Sequence, residues 1–158
     1  MKKAEKTNVM RLFEQKKVPY VSHCYADTDA LAGVEVAAVL GEDPACVFKT
    51  LVTVGASKNH YVFMIPVADE LDLKKAAKAV GEKSIAMIAA KELLPLTGYI
   101  HGGCSPIGMK KPFKTVIHTT AADFTTFFFS AGKIGYQVEV APNELKKILK
   151  YTLADIIV

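Results

Sequence analysis

The segment HGGCSPIGMKKP, at positions 101–112, brings together a histidine, two glycines and a cysteine. A thiol with an imidazole close by can act as a nucleophile and its base, so Cys104 and His101 form one candidate pair. Paired glycines instead allow backbone N–H groups to approach a ligand oxygen closely, so Gly102 and Gly103 are candidate donors to a carbonyl. The first interpretation predicts covalent catalysis, and the second predicts stabilisation of charge by the backbone.

Lys49 is the second candidate, because it interrupts an apolar segment, CVFKTLVTVG. Alternate residues of a strand face opposite sides, and here both sides are largely apolar, which predicts a central strand. Burying an unpaired ammonium group is costly, so the Lys49 amine must reach water, a carboxylate or an anionic ligand. A lysine whose stem extends along the strand to solvent is the structural alternative.

Two further side chains lie where a pocket could form. Ser130 precedes a glycine-containing turn, where its hydroxyl could donate to a ligand or simply cap the turn. Tyr25 ends the first predicted strand, where a phenol could line a pocket or lie half-buried with its tip in water. Since GxSxG, HExxH and CxxC are all absent from the sequence, it predicts no serine nucleophile elbow, no metal site and no cofactor.

Composition limits the class of protein. A chain of 158 residues that is 51% hydrophobic and 23% charged is expected to fold as a single domain over residues 1–158. Its net charge of +4 is compatible with contact to a few phosphates or with an ordinary solvated surface. The three cysteines are widely spaced, and no signal peptide or membrane span is evident, which predicts a reduced, cytoplasmic protein.

The hydrophobic pattern mixes helices and strands without a regular βαβ order. Helices are predicted over residues 4–17, 27–41, 71–81 and 143–150, and a broken helical turn over 91–99. Strands are predicted over 18–26, 46–55, 59–68, 83–89, 114–120, 125–132 and 134–142. We expect an α+β domain with a mixed, largely antiparallel sheet, helices packed around it and a tail at 153–158 that packs onto the core.

Four segments, taken in order, resemble one known family. VFKTLV, LDLKKAAKAVG, TGYIHGGCSPIGMKK and FFFSAGKIGYQVEVAP are similar to the YbaK/EbsC proteins of the prolyl-tRNA editing superfamily. The resemblance runs from about Val18 to the C-terminal helix. It implies a mixed sheet curled toward a barrel, and hydrolysis of mischarged Cys-tRNA(Pro) and, less selectively, Cys-tRNA(Cys). The implied partners are the acceptor end of an aminoacyl-tRNA and, as a docking partner, prolyl-tRNA synthetase.

The same resemblance assigns roles to residues. The essential lysine of the family falls on Lys49, its neighbouring threonine on Thr50 and the loop glycines on Gly102 and Gly103. The implied pocket residues are Tyr25, Ser130 and Gln137. In this family the thiol of the substrate cysteine attacks the ester carbonyl, so the protein supplies no nucleophile. Lys110 and Lys111 are candidate contacts to tRNA, with an ordinary solvated surface as the alternative.

Departures from the family pattern keep alternatives open. Gln137 stands where an acidic residue is expected, and Cys104 and His101 stand where aliphatic residues are usual. A deacylase for another misacylated tRNA, such as Ala-tRNA(Pro), is one alternative. A Cys104-dependent hydrolase and a non-catalytic module that binds tRNA or a synthetase are the others.

Overall fold

A computed structural model describes residues 5–158. The helices are α1 (Asn8–Gln15), α2 (Gly33–Leu40), α3 (Leu73–Val80), α4 (Ala90–Thr97) and α5 (Pro142–Leu145). The strands are β1 (Val21–Cys24), β2 (Phe48–Gly55), β3 (His60–Pro66), β4 (Ile85–Met87), β5 (Lys114–His118), β6 (Phe127–Ser130), β7 (Tyr136–Val140) and β8 (Tyr151–Ala154). Two short 3₁₀ helices lie at Pro44–Cys46 and Thr119–Asp123.

The strands form two sheets. The smaller sheet has the order β1-β7-β6 and is antiparallel throughout. The larger has the order β4-β2-β3-β5-β8, in which β2 pairs antiparallel with β3 and β4, while β5 pairs parallel with β3 and β8. The predicted mixed α+β architecture is therefore confirmed. Among the described residues, a single bridge between Val47 and Phe128 joins the two sheets, and no pairing closes them into a barrel.

Two buried clusters hold these sheets in place. The larger packs the inner face of the smaller sheet, including Phe127, Phe129 and Val138, against α1, which contributes Phe13. The second lies under α3 and includes Phe63, Ile65 and Ala76 from β3 and the helix. Burial of this apolar surface is the main force that fixes β2 between the two clusters.

Most of the predicted elements are found, and their signals act as expected. The β2–β3 hairpin forms, and α3 begins after Asp72, whose carboxylate accepts hydrogen bonds from the N–H groups of Lys74 and Lys75, both at 3.0 Å. Helices α2 and α3 end at Gly41 and Gly81, which have φ values of 68° and 74°. The start of the α1 prediction, at Ala4, lies outside the described residues.

The predicted start of α2 at residue 27 is wrong. The Thr28 hydroxyl stabilises a turn instead of capping a helix. It donates to the Tyr25 carbonyl at 2.7 Å and accepts from the Ala30 N–H at 3.3 Å. The helix begins only at Gly33. Its start is capped by Glu35, whose carboxylate accepts a hydrogen bond from the Ala32 N–H at 3.0 Å. Residues 27–32 are thereby left as a loop beside the smaller sheet, which lets them contribute to a cavity described below.

The C-terminal prediction is also wrong in its helix. In place of the predicted helix over 143–150, the chain forms only the four-residue α5, which begins at Pro142, and then β8 beside β5. Tyr151 donates its hydroxyl to the Pro142 carbonyl at 2.7 Å, which holds the intervening turn closed. The predicted packing of the tail is confirmed, since Ile156 is fully buried in the cluster under α3. In addition, the predicted broken turn over 91–99 is the regular helix α4, which accommodates Pro95.

His118 links this tail to the protein core and should make folding stability depend on pH. Its side chain is buried, and Nδ1 accepts a hydrogen bond from the Ile156 N–H at 3.3 Å, which requires that nitrogen to be unprotonated. Burial lowers the pKa of His118, and Asp155, at 3.9 Å, opposes this effect. The unfolded chain therefore binds a proton more readily than the folded one.

We expect the free energy of unfolding to fall as the pH decreases below about 6.5, the ordinary histidine value, and to be unaffected by this group above it. Urea unfolding monitored by circular dichroism between about pH 7 and pH 5 measures the effect. In His118→Gln, overall stability should be lower but this part of the pH dependence should disappear. An equal slope in both proteins would contradict the assignment.

Candidate active site

A cavity of about 460 Å³ lies between the two sheets, α2 and the loop that follows α4. This volume is in the range of sites that bind small molecules. Six of the seven residues predicted to form a site line it: Tyr25, Lys49, Thr50, Gly102, Ser130 and Gln137. The sequence thus identified side chains from β2, β6, β7 and two loops that folding brings to one place. Their chemical roles are considered under the proposed function.

Lys49 lies on β2 opposite Ile65 of β3, and its neighbours on the cavity wall are largely apolar. It is half-buried. Within residues 5–158 its ammonium group has neither a hydrogen bond nor an ion pair to another side chain. A partly desolvated cation without a counterion favours an anionic or carbonyl oxygen as its ligand.

The backbone of β2 adds polar groups that the sequence did not point to. The Val67 N–H donates to the Val47 carbonyl and the Gly55 N–H donates to the Asn59 carbonyl, each at 2.8 Å. Because pairing alternates along an antiparallel strand, odd-numbered residues of β2 pair with β3 and Thr50 faces the opposite edge. On that edge β4 pairs only with residues 53–55. The N–H and C=O of Thr50 therefore lie at an open strand edge beside the cavity.

The cavity also contains buried polar side-chain atoms. Thr50 Oγ1 is buried and has no hydrogen-bonding partner in the described part of the chain. The Ser130 hydroxyl accepts from the Gly132 N–H at 3.1 Å, so it caps the turn and still has a proton to donate. Tyr25 is 5% exposed, and burial raises the pKa of its phenol, which keeps it a neutral hydrogen-bonding group. The wall thus offers hydroxyl groups of fixed protonation.

The two loop glycines have different environments. Gly102 lines the cavity with a φ of 87°, a left-handed conformation that favours glycine, and its N–H donates to no acceptor among residues 5–158. Gly103 does not line the cavity, and its N–H donates to the Ile100 carbonyl at 3.0 Å. A Cβ at Gly103 would lie 3.1 Å from the Ile134 backbone nitrogen. Gly103 therefore supports the packing of the loop. The expectation that its N–H faces the carbonyl group of a substrate does not match this conformation.

The glycine loop is held from both ends. Tyr99 donates its hydroxyl to the Ile107 carbonyl, and the Lys110 N–H donates to the Thr97 carbonyl at 3.0 Å. Ser105, which is fully buried, accepts from the Ile107 N–H at 3.3 Å. Because these bonds fix the loop independently of the cavity, the Gly102 amide is preorganised.

Cys104 and His101 line the cavity but do not form a nucleophile and base. No hydrogen bond joins the two side chains within the described residues. Burial raises the pKa of the Cys104 thiol to about 12, so the thiolate required for attack is almost absent at neutral pH. No group of three or more His, Cys, Asp or Glu residues in the range 5–158 could hold a metal ion.

Comparison with known proteins places the chain in a family. The aminoacyl-tRNA editing domain matches residues 28–148, which include most of the cavity wall. This chain belongs to the aminoacyl-tRNA editing family. Enterococcus faecalis EbsC, by name a Cys-tRNA(Pro)/Cys-tRNA(Cys) deacylase, is 46% identical over 156 residues, which are 98% of this chain and 95% of EbsC. The resemblance to the YbaK/EbsC proteins is confirmed.

More distant matches share part of the sequence or the fold of this chain. Burkholderia orbicola proline–tRNA ligase is 27% identical over 84 residues, which are 53% of this chain and 14% of that enzyme. A solved structure described as a trans-editing enzyme for prolyl tRNA synthetase has a TM-score of 0.81 at 24% identity, over 95% of this chain and 94% of that one. Hypothetical protein APE2540 has a TM-score of 0.86 at 21% identity, over 95% and 99%. These two structures show the editing-domain fold. No helix of residues 5–158 is both long and apolar enough to cross a membrane.

The high pKa of Cys104 makes a direct prediction for the cavity. We expect Cys104→Ala to keep deacylase activity within about threefold of the unsubstituted protein, because an un-ionised thiol contributes packing and no bond-making. Iodoacetamide at neutral pH should modify Cys104 slowly, as followed by mass spectrometry of the peptide. Loss of activity in a folded Cys104→Ala protein, parallel to rapid alkylation, would instead identify a covalent mechanism.

Proposed function

We propose that this protein is a trans-acting aminoacyl-tRNA deacylase that cleaves the ester of Cys-tRNA(Pro) and, less selectively, Cys-tRNA(Cys). The observation that carries the proposal is Lys49, a cation that has no counterion among residues 5–158, in a cavity of about 460 Å³ whose loop offers a Gly102 amide without an acceptor in the same range. The extensive similarity to EbsC supports the choice of substrate. No cofactor is required by this chemistry.

The proposed reaction uses the thiol of the substrate. The cysteine sulfur attacks the carbonyl carbon of the ester, a C–S bond forms, and the C–O bond to the terminal ribose breaks. The ribose oxygen leaves with a proton, releasing free tRNA and a cyclic thiolactone. The high pKa of Cys104 and its lack of a bonded base support a mechanism without a protein nucleophile.

Each wall residue then has a role that fits its chemistry. The Gly102 N–H stabilises the oxyanion that develops on the carbonyl oxygen. Lys49 stabilises the same charge or anchors the terminal nucleotide. Thr50, Ser130, Tyr25 and Gln137 hold the aminoacyl group in the reactive geometry, which is the larger part of the work when the nucleophile belongs to the substrate. Gly103 supports the loop.

We also infer how the protein operates in the cell. Residues 1–158 act as one editing domain, consistent with a length close to that of EbsC. The partner is the acceptor end of an aminoacyl-tRNA, for which the net charge of +4 is favourable. Prolyl-tRNA synthetase is a second proposed partner, because it would produce the mischarged tRNA. The cytoplasm is the proposed location, because that tRNA would be found there.

Substitution of Lys49 tests the site. We expect Lys49→Ala to reduce kcat/KM for Cys-tRNA(Pro) by at least about 100-fold, because removal of a preorganised charge from a developing oxyanion costs this much. Release of radiolabelled cysteine measures the rate. Lys78→Ala is the matched control, since Lys78 lies in the last turn of α3, away from the cavity wall. Full activity of the folded Lys49→Ala protein would refute the site.

A panel of substrates tests the mechanism and the alternative of an Ala-tRNA(Pro) deacylase. Cys-, Ser-, Ala- and Pro-tRNA(Pro), with Cys-tRNA(Cys), are compared under identical conditions. We expect rapid loss of cysteine with serine spared, because a hydroxyl is a much weaker nucleophile than a thiol. Equal loss of serine and cysteine would argue against attack by the substrate, and preferential loss of alanine would establish the alternative. Binding of tRNA without any turnover would indicate a non-catalytic module.

A further inference from the structure

Gln137 is the one buried amide on the cavity wall, and part of it has no partner in the described chain. It lies on β7 between His23 of β1 and Ser130 of β6, and its side chain is 3% exposed. Its Oε1 atom is buried without a hydrogen bond to any residue from 5 to 158. A buried acceptor left in this state destabilises the fold, so the position calls for an explanation.

Glu42 lies beside this amide and has the same deficiency. It follows the left-handed Gly41 at the end of α2, and both carboxyl oxygens are buried without a hydrogen-bonding partner of ordinary length among residues 5–158. Burial raises the pKa of Glu42, while hydrogen bonding by the Gln137 amide lowers it. The Gln137 amide and the Glu42 carboxylate are therefore neighbours, but the distance between them in this conformation exceeds that of an ordinary hydrogen bond.

The other charged groups near Glu42 are already paired with each other. Glu139 accepts from Thr126 at 2.6 Å and pairs with His23 at 2.9 Å. His23 lowers the pKa of Glu42 and Glu139 raises it, but neither supplies Glu42 with a hydrogen bond. Gln137 Oε1 on the cavity wall and the two Glu42 carboxyl oxygens behind it thus have no hydrogen-bond donor of ordinary length among residues 5–158.

An ammonium group would complete this arrangement. It carries three donors and the positive charge that compensates a buried carboxylate. The substrate of the proposed reaction carries such a group on its α-carbon, next to the ester carbonyl held by Gly102. An ammonium beside Glu42 would also favour the ionised carboxylate, which is the form that accepts a hydrogen bond from the Gln137 amide.

We propose that Gln137 binds the α-ammonium group of the aminoacyl ester through Oε1, and that Glu42 is the positioning residue that turns the Gln137 N–H₂ group away from it. Glu42 does not line the cavity, so it acts through the amide and through its charge. The substrate class is then an aminoacyl ester with a free amine. N-acylated esters, including peptidyl-tRNA, are excluded. This inference rests on the proposed deacylase function.

The test compares Cys-tRNA(Pro) with the same tRNA acetylated on the cysteine nitrogen alone. Acetylation leaves the thiol intact but also removes the electron-withdrawing ammonium that activates the ester, so each enzymatic rate is divided by the enzyme-free deacylation rate of the same substrate. We expect kcat/KM for the acetylated substrate to be lower by about 10- to 100-fold, the effect of losing a charge-assisted hydrogen bond. The difference should lie mainly in KM, because the amine is bound before and during the reaction.

Variants of the pair separate positioning from structure. In Glu42→Gln, the new amide can donate to Gln137 Oε1 and occupy the acceptor, so the preference for a free amine should fall to about threefold or less. The exchange Glu42→Gln with Gln137→Glu restores a carboxylate to the wall and should restore the preference. Glu139→Gln is the control, because it removes a neighbouring carboxylate that lies off the cavity wall and should keep the preference.

The outcomes are distinct. If the unsubstituted protein cleaves neither substrate, the proposed function fails. If it cleaves both at equal rates after correction for spontaneous deacylation, the function stands and binding of the amine is wrong. If Glu42→Gln keeps the full preference, or loses activity on both substrates alike while the exchanged pair does not recover it, Glu42 has a structural role only and the positioning proposal is overturned.

Discussion

The position of one positive charge governs the rest of this structure. Lys49 is the second residue of β2, where its neighbours are largely apolar, and no acidic side chain among residues 5–158 pairs with it. A cation in such a place is tolerated only if a cavity keeps it in contact with water or a ligand. The fold meets this condition by leaving the edge of β2 at Thr50 unpaired, between the bridge to Phe128 and the pairing with β4. The cavity is therefore a direct consequence of how the sheet is paired.

That open edge depends on which elements stop short of it. The short strand β4 covers only residues 53–55 of β2, and α2 begins late because Thr28 closes a turn instead of capping a helix. Gly33 lets α2 approach the residues that follow β3. A Cβ at Gly33 would lie 2.3 Å from Val67 Cγ1. The single bridge between Val47 and Phe128 then brings the smaller sheet, with its polar side chains, against the same edge. Both sheets contribute residues to one site because neither sheet extends across the cavity.

The sequence predicted the parts of this arrangement that depend on local pattern. The apolar alternation around Lys49, the cap at Asp72 and the left-handed glycines each act within a few residues, and each was predicted correctly. The strand β8 was missed because parallel pairing with β5 depends on a distant partner and leaves little trace in YTLA. The different environments of Gly102 and Gly103 were also invisible, since they follow from the path of residues 133–134. Glu42 gave no signal at all, because only the fold brings it beside Gln137.

The unpaired polar groups on and behind the cavity wall form a set that a single ligand can satisfy. Thr50 Oγ1, Gln137 Oε1 and the Glu42 carboxyl are buried without partners in the described chain, and each costs folding free energy. Natural proteins keep such groups where a ligand can satisfy them, because stability lost in the free protein returns as affinity when the ligand binds. The unsatisfied groups are of two kinds in the described chain. Lys49 and the Gly102 N–H are donors without an acceptor, and Gln137 Oε1 and the Glu42 carboxyl are acceptors without a donor. A ligand that presents a carbonyl oxygen and an amine a few bonds apart, as the proposed aminoacyl ester does, would satisfy both kinds of group.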